Sequence, residues 1–224
     1  MAARHPAIER RIGHRFNDPA LLAQALTHRS YGSPHYERLE LLGDSVLGCV
    51  VTELLFRDHP ELPEGKLSRI RAGLIREESL AEIARGLGIA EHLRLDESTA
   101  RNDGAARPSI LADAIEAIYG AVFLDAGYQA ARDVVARTFA ARLSQLDPDA
   151  VEKDAKTRLQ EYLQARRLAK PLYRVVSTQG AKQSLVFEVE CVIEDPRRSA
   201  TGSGSSRQRA EQQAAALLLK QIEA

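Results

Sequence analysis

The hydrophobic rhythm of the chain changes near residue 147. Before it, apolar residues recur at helical spacing. Leu21, Leu22, Ala25 and Leu26 form a short amphipathic stretch after Asn17-Asp18-Pro19, which offers an N-cap and a proline at the first helical position. Tyr31-Gly32-Ser33-Pro34 breaks the chain. The pattern predicts a long apolar helix over 36–57, a loop at Glu61-Leu62-Pro63-Glu64-Gly65, and one helix over 65–85 that carries Lys66, Arg69, Arg71 and Arg76. Residues 96–108 are polar and read as a flexible loop. A second very apolar helix is predicted over 109–125, capped by Ser109 after Pro108, and a further one over 128–146.

Residues 147–155, opening on Asp147-Pro148-Asp149, are charged and read as a linker. A helix over 157–167 follows. Residues 172–178 and 185–193 are rich in β-formers. In the second run Phe187, Val189, Cys191 and Ile193 face one way, and Glu188 and Glu190 the other. Asp195-Pro196 marks a turn before a short strand at 198–201. Gly202-Ser203-Gly204-Ser205-Ser206 leads into a last helix ending near Ile222. The expected architecture is an all-α N-terminal domain over 1–146, the linker 147–155, and a small α+β module of order α-β-β-β-α over 156–224.

Composition narrows the class. Apolar residues are 44% of 224, enough for a real core, so a disordered chain is excluded. Lys plus Arg and Asp plus Glu are 31 each, which speaks against a uniformly basic protein. The balance is uneven, with 18 cations against 22 anions over residues 1–150 and 13 against 9 beyond. A basic C-terminal part suggests a nucleic-acid or membrane contact there. Cys49 and Cys191 sit in no metal or disulfide pattern and read as small apolar residues in a reducing compartment. No apolar run of about 18 residues and no signal-peptide stretch is present, so a cytoplasmic protein without a membrane partner is expected.

The sharpest chemistry is acidic. In Glu37-Arg38-Leu39-Glu40-Leu41-Leu42-Gly43-Asp44-Ser45, helical spacing puts Glu37, Glu40 and Asp44 within about 60° of one another. That stripe runs on into Val51 and Leu55, flanked by Leu41 and Leu47. The second apolar helix carries Asp113 and Glu116. Small residues accompany both stripes, Gly48 on the first and Ala117 and Gly120 on the second, and would let the helices approach. Clustered, half-buried carboxylates cost several kcal/mol through desolvation and repulsion, and a divalent cation offsets that cost. Hard oxygen ligands without His or Cys favour Mg²⁺, with Mn²⁺ as a substitute, over zinc.

These residues carry a resemblance. The nine-residue run from Glu37 to Ser45 resembles the signature of ribonuclease III, which commonly has Phe where this chain has Leu41. Thr27-His28-Arg29-Ser30 and Ile110-Leu111-Ala112-Asp113-Ala114-Ile115-Glu116-Ala117 are similar to the same family. The C-terminal module resembles a double-stranded-RNA-binding domain. The resemblance implies a dimeric endonuclease domain that hydrolyses duplex RNA, leaving 5′-phosphate and 3′-hydroxyl ends, with ribosomal RNA precursors as the family's usual substrate. By motif position, Glu40, Asp113 and Glu116 would bind metal, Asp44 and Glu116 would be catalytic, and Glu37 and Glu64 would lie at the edge of the site. Gln160 and Glu161 match positions that reach 2′-hydroxyls. Arg207 and Arg209 open the last helix, where phosphate is favoured. Two departures from the family's pattern imply RNA binding that survives but is weaker per module: Gln208 interrupts the basic run, and Gln183 replaces the usual His, with Lys182 beside it to compensate.

Other signals carry less. Gly86-Leu87-Gly88 lacks the third glycine of a dinucleotide fingerprint, reads as a helix end, and gives no reason for a nucleotide cofactor. His28, in a helical stretch without a visible partner, reads as structural. Ser45, outside any nucleophile elbow, is placed to hydrogen-bond a metal ligand. The competing reading is a catalytically silent dimer that only binds duplex RNA.

Overall fold

The computed structural model describes residues 4–148, 155–180 and 185–223. The chain forms two units, Met1–Val151 and Glu152–Ala224.

The first unit is helical: α1 (Pro6–Ile12), α2 (Pro19–Ala25), α3 (Glu37–Asp58), α4 (Glu64–Leu74), α5 (Glu77–Gly86), α6 (Glu97–Arg101) and α7 (Pro108–Ser144). The expected cap on α2 is present, the Asp18 carboxylate accepting from the Ala20 N–H at 2.9 Å. The two most apolar helices, α3 and α7, form the centre. Leu47, Val50, Val51 and Leu55 of α3 and Leu111, Ala114, Ile115, Ile118 and Val122 of α7 are almost wholly buried. Each such large side chain contributes about 1.5–3 kcal/mol. The predicted pair 109–125 and 128–146 is one long element broken at Gly127, whose φ of 78° and ψ of −176° suit only glycine. Asp125, just before the break, accepts from the backbone N–H groups of Asn17 and Asp18 and from His14, pinning the α1–α2 turn to α7.

Several expectations change. The predicted 65–85 helix is two helices, because Arg76 is extended and Glu77 and Glu78 open a new N-terminus, where acidic side chains suit the helix dipole. The 96–108 segment is not a featureless loop. Asp96 caps α6 by accepting from the Thr99 N–H, and a 3₁₀ turn spans Gly104–Ala106. Ser109 is not the cap of α7, since Pro108 already occupies its first turn and Arg107 holds the cap position. Cys49 is exposed and only Cys191 is buried; both are free thiols.

The second unit is α8 (Ala155–Ala165), β1 (Leu172–Gln179), β2 (Val186–Glu194), β3 (Arg197–Gly204) and α9 (Arg207–Glu223). The antiparallel sheet has order β1-β2-β3, with a register shift between Val175 and Ser177. Cys191 and Ile193 of β2 point into a core with Leu159, Leu163, Ala214, Ala215, Leu218 and Leu219, and Val189 is likewise fully buried. The predicted third strand ended at Thr201, but β3 continues through Gly202-Ser203-Gly204. The two glycines permit this: a Cβ on Gly202 would lie 2.2 Å from the Ala214 nitrogen, and one on Gly204 2.7 Å from the Ala210 nitrogen. The sheet edge passes directly under α9. Among the described residues, no helix is long and apolar enough to cross a membrane.

Candidate active site

The site grows from the close approach of α3 and α7. A Cβ on Gly43 would lie 1.8 Å from the Glu116 carbonyl oxygen, and one on Gly120 would lie 2.2 Å from that of Leu39. Backbone meets backbone, so neither position accepts a larger residue. Gly48, the glycine singled out by spacing, has open space around it. The true seam is one turn nearer the N-terminus of α3, level with the acids.

That seam brings three carboxylates together. Oxygens of Glu40, Asp113 and Glu116 all lie within 4.8 Å of one another, each residue half-buried. Burial first, then Asp44, Asp113 and Glu40, push the Glu116 carboxyl up to about 8. Burial likewise raises Glu40, helped by Asp113, Glu37 and Asp44. Burial raises Asp113 too, and a hydrogen bond from Tyr36 opposes the shift. Among the described groups no cation neutralises this trio, and the donors are all carboxylate oxygens. Such a set fits a hard divalent cation.

Asp44 is exposed and outside the trio, yet close enough to act on both Glu40 and Glu116. Glu37 is exposed at the rim, where Arg29 holds it at 3.3 Å. Glu37, Glu40 and Asp113 line a cleft of about 710 Å³ with His28, Arg29, Tyr36, Thr99 and Arg107. Glu64 lines a different, apolar pocket with Leu55, Phe56 and Arg71, so one chain does not bring it to the trio.

His28 is not helical. Its Nδ1 accepts from the Ser30 N–H at 3.1 Å and lies 2.8 Å from the Ser30 hydroxyl, with the ring edge-on to Tyr36. Burial, then Arg29, keep its pKa below the ordinary histidine value. Ser45 donates to the carbonyl of Leu41, one turn back, instead of to a ligand. Sequence reading missed Tyr36, Thr99 and Arg107. The first stands immediately before the acidic motif, and the other two lie in the segment taken for a loop.

On the second unit, Gln160 and Glu161 are exposed neighbours on α8, opposite the buried Leu159 and Leu163. Arg207 and Arg209 are exposed at the start of α9. Arg207 donates to Glu211, which also receives Lys156. Burial works against the Glu211 charge, but the two cations hold its carboxyl below the usual range. Lys182 and Gln183 lie outside the described residues.

Comparison with known proteins decides the family. Residues 18–143 match the Ribonuclease-III-like family and residues 155–222 the double-stranded RNA binding motif. Ribonuclease 3 of Bordetella avium is 54% identical over 213 residues, covering 95% of this chain and 85% of that protein. The chain belongs to the ribonuclease III family. Ribonuclease 3 of Cupriavidus pinatubonensis is 51% identical over 217 residues, covering 97% of this chain and 85% of the relative. The crystal structure of the nuclease domain of ribonuclease III from Campylobacter jejuni superposes with a TM-score of 0.61 at 40% identity, covering 63% of this chain and 97% of that one. As a ribonuclease III the chain is an endoribonuclease, a phosphodiester hydrolase, joined to a double-stranded-RNA-binding unit.

Proposed function

We propose that this ribonuclease III cleaves both strands of duplex RNA at the Glu40–Asp113–Glu116 centre, with Mg²⁺ or Mn²⁺ bound there, and releases 5′-phosphate and 3′-hydroxyl ends. The observation that carries the reading is three carboxylates held within 4.8 Å of one another by a glycine seam, against their own repulsion. A bare trio repels RNA, and a bound cation inverts the local field. When bound, the divalent ion supplies an activated water at neutral pH and polarises the scissile phosphate.

The chain's own residues do the rest. Glu40, Asp113 and Glu116 bind and orient the ion. Glu116, with its carboxyl near 8 before metal binds, gives up its proton as the ion is bound. Asp44, solvent-facing beside it, is the catalytic acid that passes the proton between the site and water. Glu37 guards the rim. Arg29 and Arg107, on the same cleft, offset the acids where phosphate enters.

In the second unit, Gln160 and Glu161 reach 2′-hydroxyls across the minor groove, and Arg207 and Arg209, with Lys182, hold adjacent phosphates. Substrates are structured precursors, ribosomal RNA above all, which places the work in the cytoplasm. Two copies act together, one for each strand. Exposed Leu41, Phe56 and Leu124, at 73%, 70% and 55%, support self-association through the helical unit. A solved nuclease domain from Campylobacter jejuni is described by a region involved in dimer formation. Glu64 then belongs to that pairing surface more than to the trio of its own chain.

The test is cleavage of a labelled duplex of about 40 base pairs, spanning more than one binding module's reach, with Mg²⁺ and with EDTA. Wild type gives discrete Mg²⁺-dependent products, and Glu116→Ala loses them while still shifting the duplex on a native gel. A wild type that shifts the duplex and never cuts it is the silent binder instead.

A further inference from the structure

Among the described residues, the one side chain that donates to Asp113 comes from outside the acidic set. The Tyr36 hydroxyl donates to Asp113 Oδ2 at 3.3 Å. Tyr36 is 2% exposed, its ring buried and only its edge reaching the cleft lining. A buried phenol O–H needs a partner, and a half-buried carboxylate gains from a fixed donor.

The backbone holds Tyr36 in place as firmly as the ring does. It is the cap residue of α3: its N–H donates to the Thr27 carbonyl at 2.9 Å, and its carbonyl accepts from the N–H groups of Leu39 and Glu40 at 2.8 and 2.9 Å. The His28 ring meets it edge-on at 5.6 Å. One residue thus joins the Thr27–Ser30 segment, the start of α3 and the acidic face of α7.

We propose that Tyr36 is a positioning residue of the metal centre: its phenol fixes the rotation of the Asp113 carboxylate and so prepares the trio for the cation. This rests on the reading of the trio as a metal site. Side chains that orient metal ligands typically change affinity by about 10–100-fold when removed. At 3.3 Å the contact is long for O–H···O, which puts the expected effect at the lower end, about tenfold.

Tyr36→Phe removes the hydroxyl and keeps the ring. Mn²⁺ binding to the full chain, followed by calorimetry, should weaken about tenfold, while the metal-free unfolding midpoint stays within a few degrees of wild type. The Mg²⁺ concentration for half-maximal cleavage should rise by the same factor, with kcat at saturating Mg²⁺ close to wild type. A purely structural role would lower the midpoint and leave the metal dependence of the folded fraction alone. Terbium gives a second, spectroscopic readout. The chain has six tyrosines and no tryptophan, so Tb³⁺ emission excited through aromatic absorption reports tyrosine beside the ion. Wild type should show it, and Tyr36→Phe should lose most of it while directly excited Tb³⁺ still reports binding.

Mn²⁺ affinity of Tyr36→Phe within about twofold of wild type overturns the proposal. So does Tb³⁺ that binds wild type without tyrosine-excited emission. If wild type and Glu116→Ala bind Mn²⁺ equally poorly, the metal centre itself falls and this proposal with it. Tight wild-type binding unchanged by Tyr36→Phe removes only the positioning role.

Discussion

The two units each use glycine to bring backbones closer than side chains allow, and they use the closeness for opposite electrostatic ends. In the first, Gly43 and Gly120 press α3 against α7 and crowd Glu40, Asp113 and Glu116 together without a cation among them. In the second, Gly202 and Gly204 press β3 under α9, and the buried Glu211 nearby is answered by Lys156 and Arg207. One seam crowds like charges together. The other balances its charge internally and serves as a rigid platform. Unsatisfied half-buried carboxylates are costly, so their persistence points to function, whereas a satisfied pair points to architecture.

The largest break in this comparison is Gly43→Ala. Its Cβ would lie 1.8 Å from the Glu116 carbonyl oxygen and 2.9 Å from the Gly120 nitrogen, and neither backbone atom can yield. The expected cost is at or above about 3 kcal/mol, the top of ordinary overpacking. Mn²⁺ binding should vanish with it, because the helices must separate. Thermal unfolding and calorimetry check both, and a stable variant with normal Mn²⁺ binding would remove the seam from the account. Gly202→Ala is the counterpart in the second unit. Its Cβ meets the Ala214 nitrogen at 2.2 Å, for an expected loss of about 2–3 kcal/mol. Duplex affinity should drop while Mn²⁺ still stabilises the helical unit; loss of Mn²⁺ binding as well would show that the two seams are not independent.

The pH response should also differ between the seams. Glu116 carries its proton up to about 8 when folded and only to its ordinary 4.5 when unfolded. At Glu116 the folded state therefore holds more protons over that window, so its contribution to the metal-free helical unit is lost as pH rises from about 4.5 towards 8. His5 and His28, held below the ordinary histidine value, act in the opposite sense near 6.5. Glu40 and Asp113, also raised, act the same way as Glu116. Asp125 in the same unit is lowered, so its contribution is lost only at acid pH, below that window. Glu211 is lowered as well, so the second unit keeps its stability above the ordinary carboxylate range and gives it up as pH falls. Mg²⁺ fixed at about a hundredfold over its Kd at pH 8 should return about 2.7 kcal/mol to the first unit there. More of that gain is expected at pH 8 than at pH 5. Melting curves with and without Mg²⁺ at both values measure it, and a Mg²⁺ gain larger at pH 5 would contradict the assignment.

Much of this contrast was legible in the chain. The acidic stripe, its apolar continuation and the second pair at Asp113 and Glu116 follow from spacing, and so does the alternation of β2. Short-range rules also gave the Asp18 cap and the interruption near Gly127. What spacing could not give was depth. Gly43 and Gly48 are five residues apart on one helix, and only the packing partner tells which one touches α7. Tyr36 was hidden for the same reason: its hydroxyl meets an aspartate 77 positions away. Asp125, which clamps Asn17 and Asp18, is another long-range contact without a local signature. The α6 segment was misjudged because its cap, Asp96, sat in a stretch whose polarity masked a single helical turn.

Gly48→Ala is the smallest of these effects and the cleanest control on the seam. Gly48 lies mid-helix in α3, and a Cβ there meets nothing within 4 Å. Replacing an unstrained helical glycine should stabilise the chain by about 0.5–1 kcal/mol, through the backbone entropy no longer lost on folding. Mn²⁺ binding should be unchanged, since the acids sit a turn or more away. The opposite sign from Gly43→Ala, on the same helix and with the same chemistry, would tie the cost to the approach of α7 and to nothing intrinsic to glycine. Sedimentation adds a further distinction. If Gly48→Ala raises the unfolding midpoint of the single chain but weakens its self-association, the bare backbone at Gly48 faces a second copy. If both rise together, that stretch of α3 faces water, and the pairing surface lies instead around Leu41, Phe56 and Leu124.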